Sequence, residues 1–159
     1  MRVKLSATIA KYPADKAAKK LGYPLELVRV LAKQPQFLKL FLGDILQAYP
    51  YGKSSLLNEM MQGATSFAQK KISPTGLLCG ANVERARSDA YHLEEPFDDR
   101  DLSTLKGDRR YAWIWPEEVE TDYDSGSTTL TVKFFLPKGS YATAFLEEIG
   151  KFSLKPSSA

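Results

Sequence analysis

The chain has 159 residues, of which 43% are hydrophobic and 26% charged, and its formal net charge is +3. This balance is typical of a globular domain, and a single cysteine (Cys79) with a single histidine (His92) excludes an intrachain disulfide and a four-ligand structural zinc site. No run approaches the roughly 18 apolar residues of a membrane span, and residues 1–6 lack the apolar region of a signal peptide, so we expect a cytoplasmic protein without a membrane partner.

The first third of the chain is predicted to be helical. An Ala- and Lys-rich segment, Ala14–Leu21, ends at Gly22, which suits the left-handed conformation that follows many helices. Pro24 is well placed in the first turn of a second helix, whose apolar residues repeat at helical spacing until Pro35. Residues 1–6 offer no helix cap and resemble the middle of a helix that continues from upstream.

The middle third combines apolar runs with turn residues. Two apolar runs, Phe37–Leu42 and Ile45–Tyr49, flank Gly43-Asp44, and this pattern predicts a β-hairpin. A helix is expected over Leu57–Gln69. A further helix is expected over Asn82–Leu93, with Asn82 as its cap.

The last third is predicted to contain strand, turn, strand and helix, after a boundary between two structural units in the polar residues 97–108. Tyr111–Trp115 alternates so that three aromatic side chains share one face of a strand. Such a face serves either core packing or the stacking of nucleic-acid bases. Thr128–Leu136 has the β-branched and aromatic residues of a second strand, and Tyr141–Ile149 follows as a helix.

Ser140 lies at a strand-to-helix turn, where some hydrolases carry their nucleophile. That motif requires glycine two residues before and two residues after the serine, and these positions hold Lys138 and Ala142. We therefore expect Ser140 to cap the following helix. It acts either as a cap alone or as part of an anion site with Lys138 and the N–H groups of the first turn.

Basic residues are concentrated in the first part of the chain. Residues 1–71 carry 12 Lys or Arg and 4 Asp or Glu, whereas residues 72–159 carry 10 and 15. The excess predicts either contact with nucleic acid or solvated lysines on helices. Paired arginines at the start of a strand, Arg109 and Arg110, have the chemistry to clamp phosphates.

Several segments resemble the TruD family of tRNA pseudouridine synthases. Residues 134–143, Phe-Phe-Leu-Pro-Lys-Gly-Ser-Tyr-Ala-Thr, are similar to the family's aromatic strand followed by Leu-Pro-x-Gly-Ser-Tyr/Phe-Ala-Thr. Residues 72–80 are similar to its Ile-Ser-x-Thr-Gly-Pro-Leu-x-Gly segment, and residues 107–110 to its Gly-x-Arg-Arg. Gly43-Asp44 is similar to a recurring Gly-Asp pair of that family.

The resemblance implies an α+β fold of mixed helices and mainly antiparallel strands. Residues 1–105 then correspond to most of the family's inserted accessory domain, residues 106–152 to the last strand-turn-strand-helix of the pseudouridine synthase core, and residues 153–159 to a flexible tail. The family's catalytic aspartate lies in a Gly-x-Lys-Asp motif, accompanied by a Phe-Gly-x-x-Arg-Phe segment. Neither occurs in this chain. Leu77 and Glu147 also depart from the family's usual proline and arginine.

The implied activity is isomerisation of a tRNA uridine, uridine-13 in the family, to pseudouridine, without a cofactor or a metal. The implied partners are tRNA and the missing amino-terminal catalytic half, so we expect the isolated chain to be inactive and to carry no catalytic residue. The alternative is a non-catalytic RNA-binding or protein-interaction domain that retains this half of the fold. The residues expected to bind RNA are two arginines and a helix start: Arg109, Arg110, Lys138, Gly139, Ser140 and Tyr141.

Overall fold

The computed structural model describes residues 1–150, apart from the side chain of Arg100, and the chain divides into two units. Unit 1 ends at Trp113 and unit 2 begins at Ile114. The boundary between these compact units lies later than the boundary expected between residues 105 and 106, because the next strand pairs with the sheet of unit 1. The assignment of the two segments to the accessory domain and the synthase core stays a prediction. The predicted tail, 153–159, lies outside the described residues.

Unit 1 begins with three short helices, α1 (Arg2–Lys11), α2 (Ala14–Leu21) and α3 (Leu25–Lys33). The predicted helices on either side of Gly22 are confirmed, and Gly22 has the expected left-handed conformation with a φ of 70°. The apolar sides of the three helices meet in the core of unit 1. Its buried members are Leu5, Ile9, Ala17, Ala18, Val28, Leu31, Phe41, Ala86, Ala90 and Leu93.

A four-stranded antiparallel sheet forms the other part of unit 1. Its strands are β1 (Ile45–Ala48), β2 (Ser54–Leu56), β3 (Ile72–Leu78) and β4 (Asp108–Tyr111). Their order is β2-β1-β3-β4, which places β3 at the centre between β1 and β4. Sequence blocks that lie far apart in the chain therefore become neighbours.

The predicted hairpin is wrong in its first arm, because Phe37–Leu42 forms a loop that is buried at residues 38–41, and β1 pairs with β2 instead. Side chains from elsewhere satisfy the backbone of this loop. The Gln34 amide accepts a hydrogen bond from Leu40 N at 2.8 Å and donates one to Leu40 O at 2.7 Å. Ser6 Oγ accepts one from Lys39 N at 3.1 Å. A buried loop is stable only with such partners.

Two further helices of unit 1 are α4 (Met60–Ala68) and α5 (Ser88–Glu94), followed by 3-10 turns at Glu95–Phe97 and Arg100–Leu102. The first confirms the predicted helix over Leu57–Gln69. The second begins later than predicted, because Asn82 has a left-handed φ of 57° and belongs to a loop. In this loop the preceding residue, Ala81, bridges to Lys106.

Unit 2 contains the antiparallel strands β5 (Glu117–Asp124) and β6 (Thr129–Phe135), followed by α6 (Ala142–Gly150). The predicted second strand and final helix are confirmed. Asp124 closes the turn between the strands by accepting hydrogen bonds from Gly126 N at 2.9 Å and Ser127 Oγ at 2.6 Å. These bonds, with the Ser127 bond the largest cause, hold the pKa of Asp124 below its usual range.

Mixed helices and antiparallel sheets make the fold class α+β, as predicted. None of the helices within residues 1–150 is both long and apolar enough to cross a bilayer.

Candidate nucleic-acid interface

Arg109 lies on β4 and turns its guanidinium into unit 1. Its Nη2 forms an ion pair with Glu94 Oε1, and its Nη1 lies 3.3 Å from Glu94 Oε2. The remaining donors reach Thr75 Oγ1 at 2.7 Å, Thr75 O at 3.3 Å and Glu84 O at 2.7 Å. The side chains of Arg109 and Glu94 are only 9% and 12% exposed. All five N–H groups of this arginine therefore have partners.

The partners of Arg109 are held in turn by other elements of unit 1. Glu94 Oε2, at the end of α5, accepts a hydrogen bond from Ala86 N at 2.9 Å. Thr75 Oγ1, on β3, donates one to Ile45 O of β1 at 2.7 Å. We call Arg109, Glu94 and Thr75 the Arg109 network. Because a phosphate would have to displace Glu94, the geometry favours a positioning role for Arg109, and its contact with RNA stays a prediction.

Gly80 and Gly107, in two of the segments that resemble the TruD family, allow the backbones of these segments to approach each other beside the Arg109 network. A Cβ atom on Gly80 would lie 2.4 Å from Gly107 N, and one on Gly107 would lie 2.5 Å from a methyl carbon of Val83. Between them, Ala81 N donates to Leu105 O at 2.6 Å and Gly107 N donates to Ala81 O at 2.9 Å. The absence of side chains at both positions lets the two segments run in contact just before Arg109.

The Gly43-Asp44 pair has a structural explanation of the same kind. Gly43 has a φ of 86°, and a Cβ there would lie 2.0 Å from Arg87 O. Asp44 accepts hydrogen bonds from both terminal nitrogens of Arg2, at 2.7 and 2.6 Å, and from Phe41 N at 2.7 Å. Burial acts to lower the pKa of Arg2, but the Asp44 carboxylate outweighs it and the pKa is raised.

The aromatic strand face predicted over Tyr111–Trp115 does not form, because β4 ends at Tyr111 and Trp115 belongs to unit 2. Tyr111 OH donates to Pro50 O at 2.5 Å, and burial raises the pKa of this phenol, with Tyr49 and Tyr51 adding to the effect. Trp113 packs edge-on against Phe67, at 6.5 Å between ring centroids. Packing within unit 1 is thus the observed role of Tyr111 and Trp113.

Arg110 follows Arg109 on β4 and therefore faces the opposite side of the strand. It is half-buried and lies opposite Gly76 of β3 in the register. An added Cβ at Gly76 would meet no atom within 4 Å, so the surface beside Arg110 is open. The structure thus separates the two arginines, which the sequence presents as a pair.

The other predicted RNA-binding residues form the turn before α6 in unit 2. Gly139 has a φ of 87°, and Ser140 N donates to Pro137 O at 3.1 Å. Lys138 and Tyr141 are exposed. The predicted helix cap is not formed. Ser140 Oγ is buried and has no hydrogen-bond partner among the described residues, so it does not accept a hydrogen bond from a first-turn N–H group.

Comparison with known proteins supplies the decisive observation. A family profile described as "tRNA pseudouridine synthase D (TruD)" matches residues 27–149. The chain belongs to the TruD family. It is 38% identical over 154 residues to the tRNA pseudouridine synthase D of Nitratiruptor sp., covering 97% of this chain and 42% of the relative. It is 40% identical over 124 residues to that of Helicobacter hepaticus, covering 78% and 32%.

A solved structure supports the TruD fold. It is described as the putative tRNA pseudouridine synthase D (TruD) from Methanosarcina mazei, with a TM-score of 0.54 and 18% identity, and the match covers 94% of this chain and 54% of that one. The chain spans less than half the length of the curated TruD relatives it matches. In this TruD chain, the Arg109 network joins two of the blocks that carry the resemblance.

Proposed function

We propose that this TruD chain is the RNA-contacting and fold-completing part of a cytoplasmic tRNA pseudouridine synthase that converts a tRNA uridine, uridine-13 in the family, to pseudouridine. The observation that carries the proposal is the match of 97% of the chain to a relative of that name. The reaction flips the base out, breaks its glycosidic bond, and rejoins the rotated uracil through carbon. Since substrate and product are isomers, the overall conversion balances without an added reactant.

The catalytic aspartate is proposed to come from an amino-terminal half. The chain contains no Gly-x-Lys-Asp motif, and the matched segment covers only 42% of the Nitratiruptor relative. The remainder of such a protein has room for a catalytic half. The isolated chain is then inactive, and its contribution is to hold tRNA and to complete the fold.

Unit 2 supports the proposal of a missing half because it has little core of its own. Pro137 is the only buried residue among those of unit 2 that the structure describes. A hairpin with one helix is marginal by itself, so apolar side chains on it require a covering partner. The large apolar side chains exposed on unit 2 are Val119, Tyr123, Leu130, Phe135, Tyr141 and Ile149.

RNA contact is proposed for the accessible members of the predicted set. Lys138 is exposed in the turn before α6, and Arg110 faces the open side of β4. Gly139, Ser140 and Tyr141 shape the turn that presents Lys138. Arg109 then acts indirectly, by holding β4 in the register that orients Arg110.

The test measures tritium release from tRNA labelled at C5 of uridine, together with tRNA binding. The isolated chain should bind an unmodified tRNA transcript and release no tritium. Addition of the amino-terminal half of the Nitratiruptor relative should restore release. Turnover by the isolated chain would contradict the proposed division of labour. Failure to bind tRNA, with no turnover in either mixture, would favour the alternative of a protein-interaction domain.

A further inference from the structure

Three lysine side chains converge on one tyrosine ring where α1 meets α2. The Nζ atoms of Lys11, Lys16 and Lys20 lie 5.7, 5.1 and 4.9 Å from the centroid of the Tyr12 ring. Lys11 ends α1, whereas Lys16 and Lys20 are one turn apart on α2. The lysines are exposed and the tyrosine is half-buried. We call these four residues the Tyr12 cluster.

The Tyr12 cluster concentrates positive charge at a cost in stability. Like charges at positions i and i+4 of a helix, such as Lys16 and Lys20, repel each other by about 0.2–0.5 kcal/mol. The face of an aromatic ring attracts an exposed ammonium by about 0.5–1 kcal/mol, so Tyr12 offsets this repulsion and gathers the cations. Attraction by a ring leaves their charge in place, and the surface remains strongly electropositive.

The lysines of the Tyr12 cluster form no ion pair with the acidic residues that the structure describes. Of the four acidic residues in residues 1–71, Glu26 pairs with Arg29, Asp44 pairs with Arg2, and Glu59 is the N-cap residue of α4. Asp15 is the acidic residue of α2 itself, and none of the ion pairs in the described part of the chain joins it to a lysine of the cluster. An external polyanion would therefore meet three ammonium groups that have no carboxylate ion-pair partner among the described residues.

We infer that the Tyr12 cluster is a docking surface for the phosphate backbone of RNA, an inference that rests on the proposed function. The ring of Tyr12 is occupied by ammonium groups, so the cluster binds phosphates rather than stacking on a base. Its contribution is independent of nucleotide sequence and strongly dependent on salt, because each neutralised phosphate releases counterions. This surface extends the RNA contact of unit 1 to a site far in sequence from Arg110.

The test compares two triple variants that remove equal charge. In one, Lys11→Gln, Lys16→Gln and Lys20→Gln neutralise the cluster. In the control, three other exposed lysines are changed in the same way: Lys53→Gln, Lys70→Gln and Lys71→Gln. Filter binding of an unmodified tRNA transcript at several salt concentrations gives the dissociation constants. Circular dichroism checks that both variants are folded.

The cluster variant should bind tRNA at least about tenfold more weakly than the control. The slope of log binding constant against log salt concentration should also be smaller in magnitude by about two to three. Equal losses in the two variants would overturn the inference and leave the proposed function standing. No tRNA binding by the unchanged chain would overturn both. Vesicles containing phosphatidylglycerol form a further arm, and a cluster-dependent affinity for these vesicles that exceeds the affinity for tRNA would also overturn the inference.

Discussion

Replacing Glu94 by Gln should destabilise unit 1, because the change leaves the charge of Arg109 buried without a counter-charge. Removing one partner of a buried ion pair costs about 3–5 kcal/mol. Here the two side chains are 9% and 12% exposed, and Arg109 keeps its hydrogen bonds to Thr75 and to the carbonyl of Glu84. These two features reduce the penalty, and we expect the free energy of unfolding to fall by about 2–4 kcal/mol.

The chain offers a matched control for this change. Glu26 and Arg29 form an ion pair on α3 whose side chains are 81% and 55% exposed. The substitution Glu26→Gln removes the same charge by the same chemical change. Water screens this pair, so the loss should stay below about 0.5 kcal/mol.

Urea unfolding followed by tryptophan fluorescence measures both losses. Trp113 packs on Phe67 in unit 1, so a Trp115→Phe background makes the signal specific for that unit. The double variant with Glu94→Gln and Arg109→Gln should recover part of the stability, since it buries no lone charge. If Glu94→Gln costs no more than Glu26→Gln, the Arg109 network does not hold unit 1 together, and the positioning role assigned to Arg109 is wrong.

Two glycine substitutions test the close contact between Gly43 and the backbone of Arg87. Gly43→Ala should cost about 3 kcal/mol or more, because its Cβ would lie 2.0 Å from Arg87 O. Gly22→Ala, with no atom within 4 Å, should cost only about 1 kcal/mol in the same urea assay, and equal costs would contradict the close contact. Because the pKa of Tyr111 is raised in the folded chain, the neutral phenol contributes stability that is fully present below about pH 10. This contribution is lost as the pH rises through the folded pKa. Unfolding free energies should therefore fall more steeply above about pH 10 in the unchanged chain than in Tyr111→Phe, and parallel curves would refute this.

Local signals in the sequence determined much of the fold. Gly22 ends α2 and Pro24 precedes α3, and both act within a few residues of their own position. The β-branched and aromatic composition of β6 is equally local. Family resemblance was also visible in the sequence, because blocks such as residues 134–143 are continuous in the chain.

Tertiary contacts decided the features that the sequence predicted incorrectly or left open. Phe37–Leu42 has the composition of a strand but forms a loop, because Gln34 satisfies its backbone at Leu40 and replaces a strand partner. Arg109 resembles a phosphate ligand in the sequence, yet the sheet order and α5 bring Thr75 and Glu94 around its guanidinium. The partners of a buried polar group come from distant segments, and only the folded chain determines which segments meet.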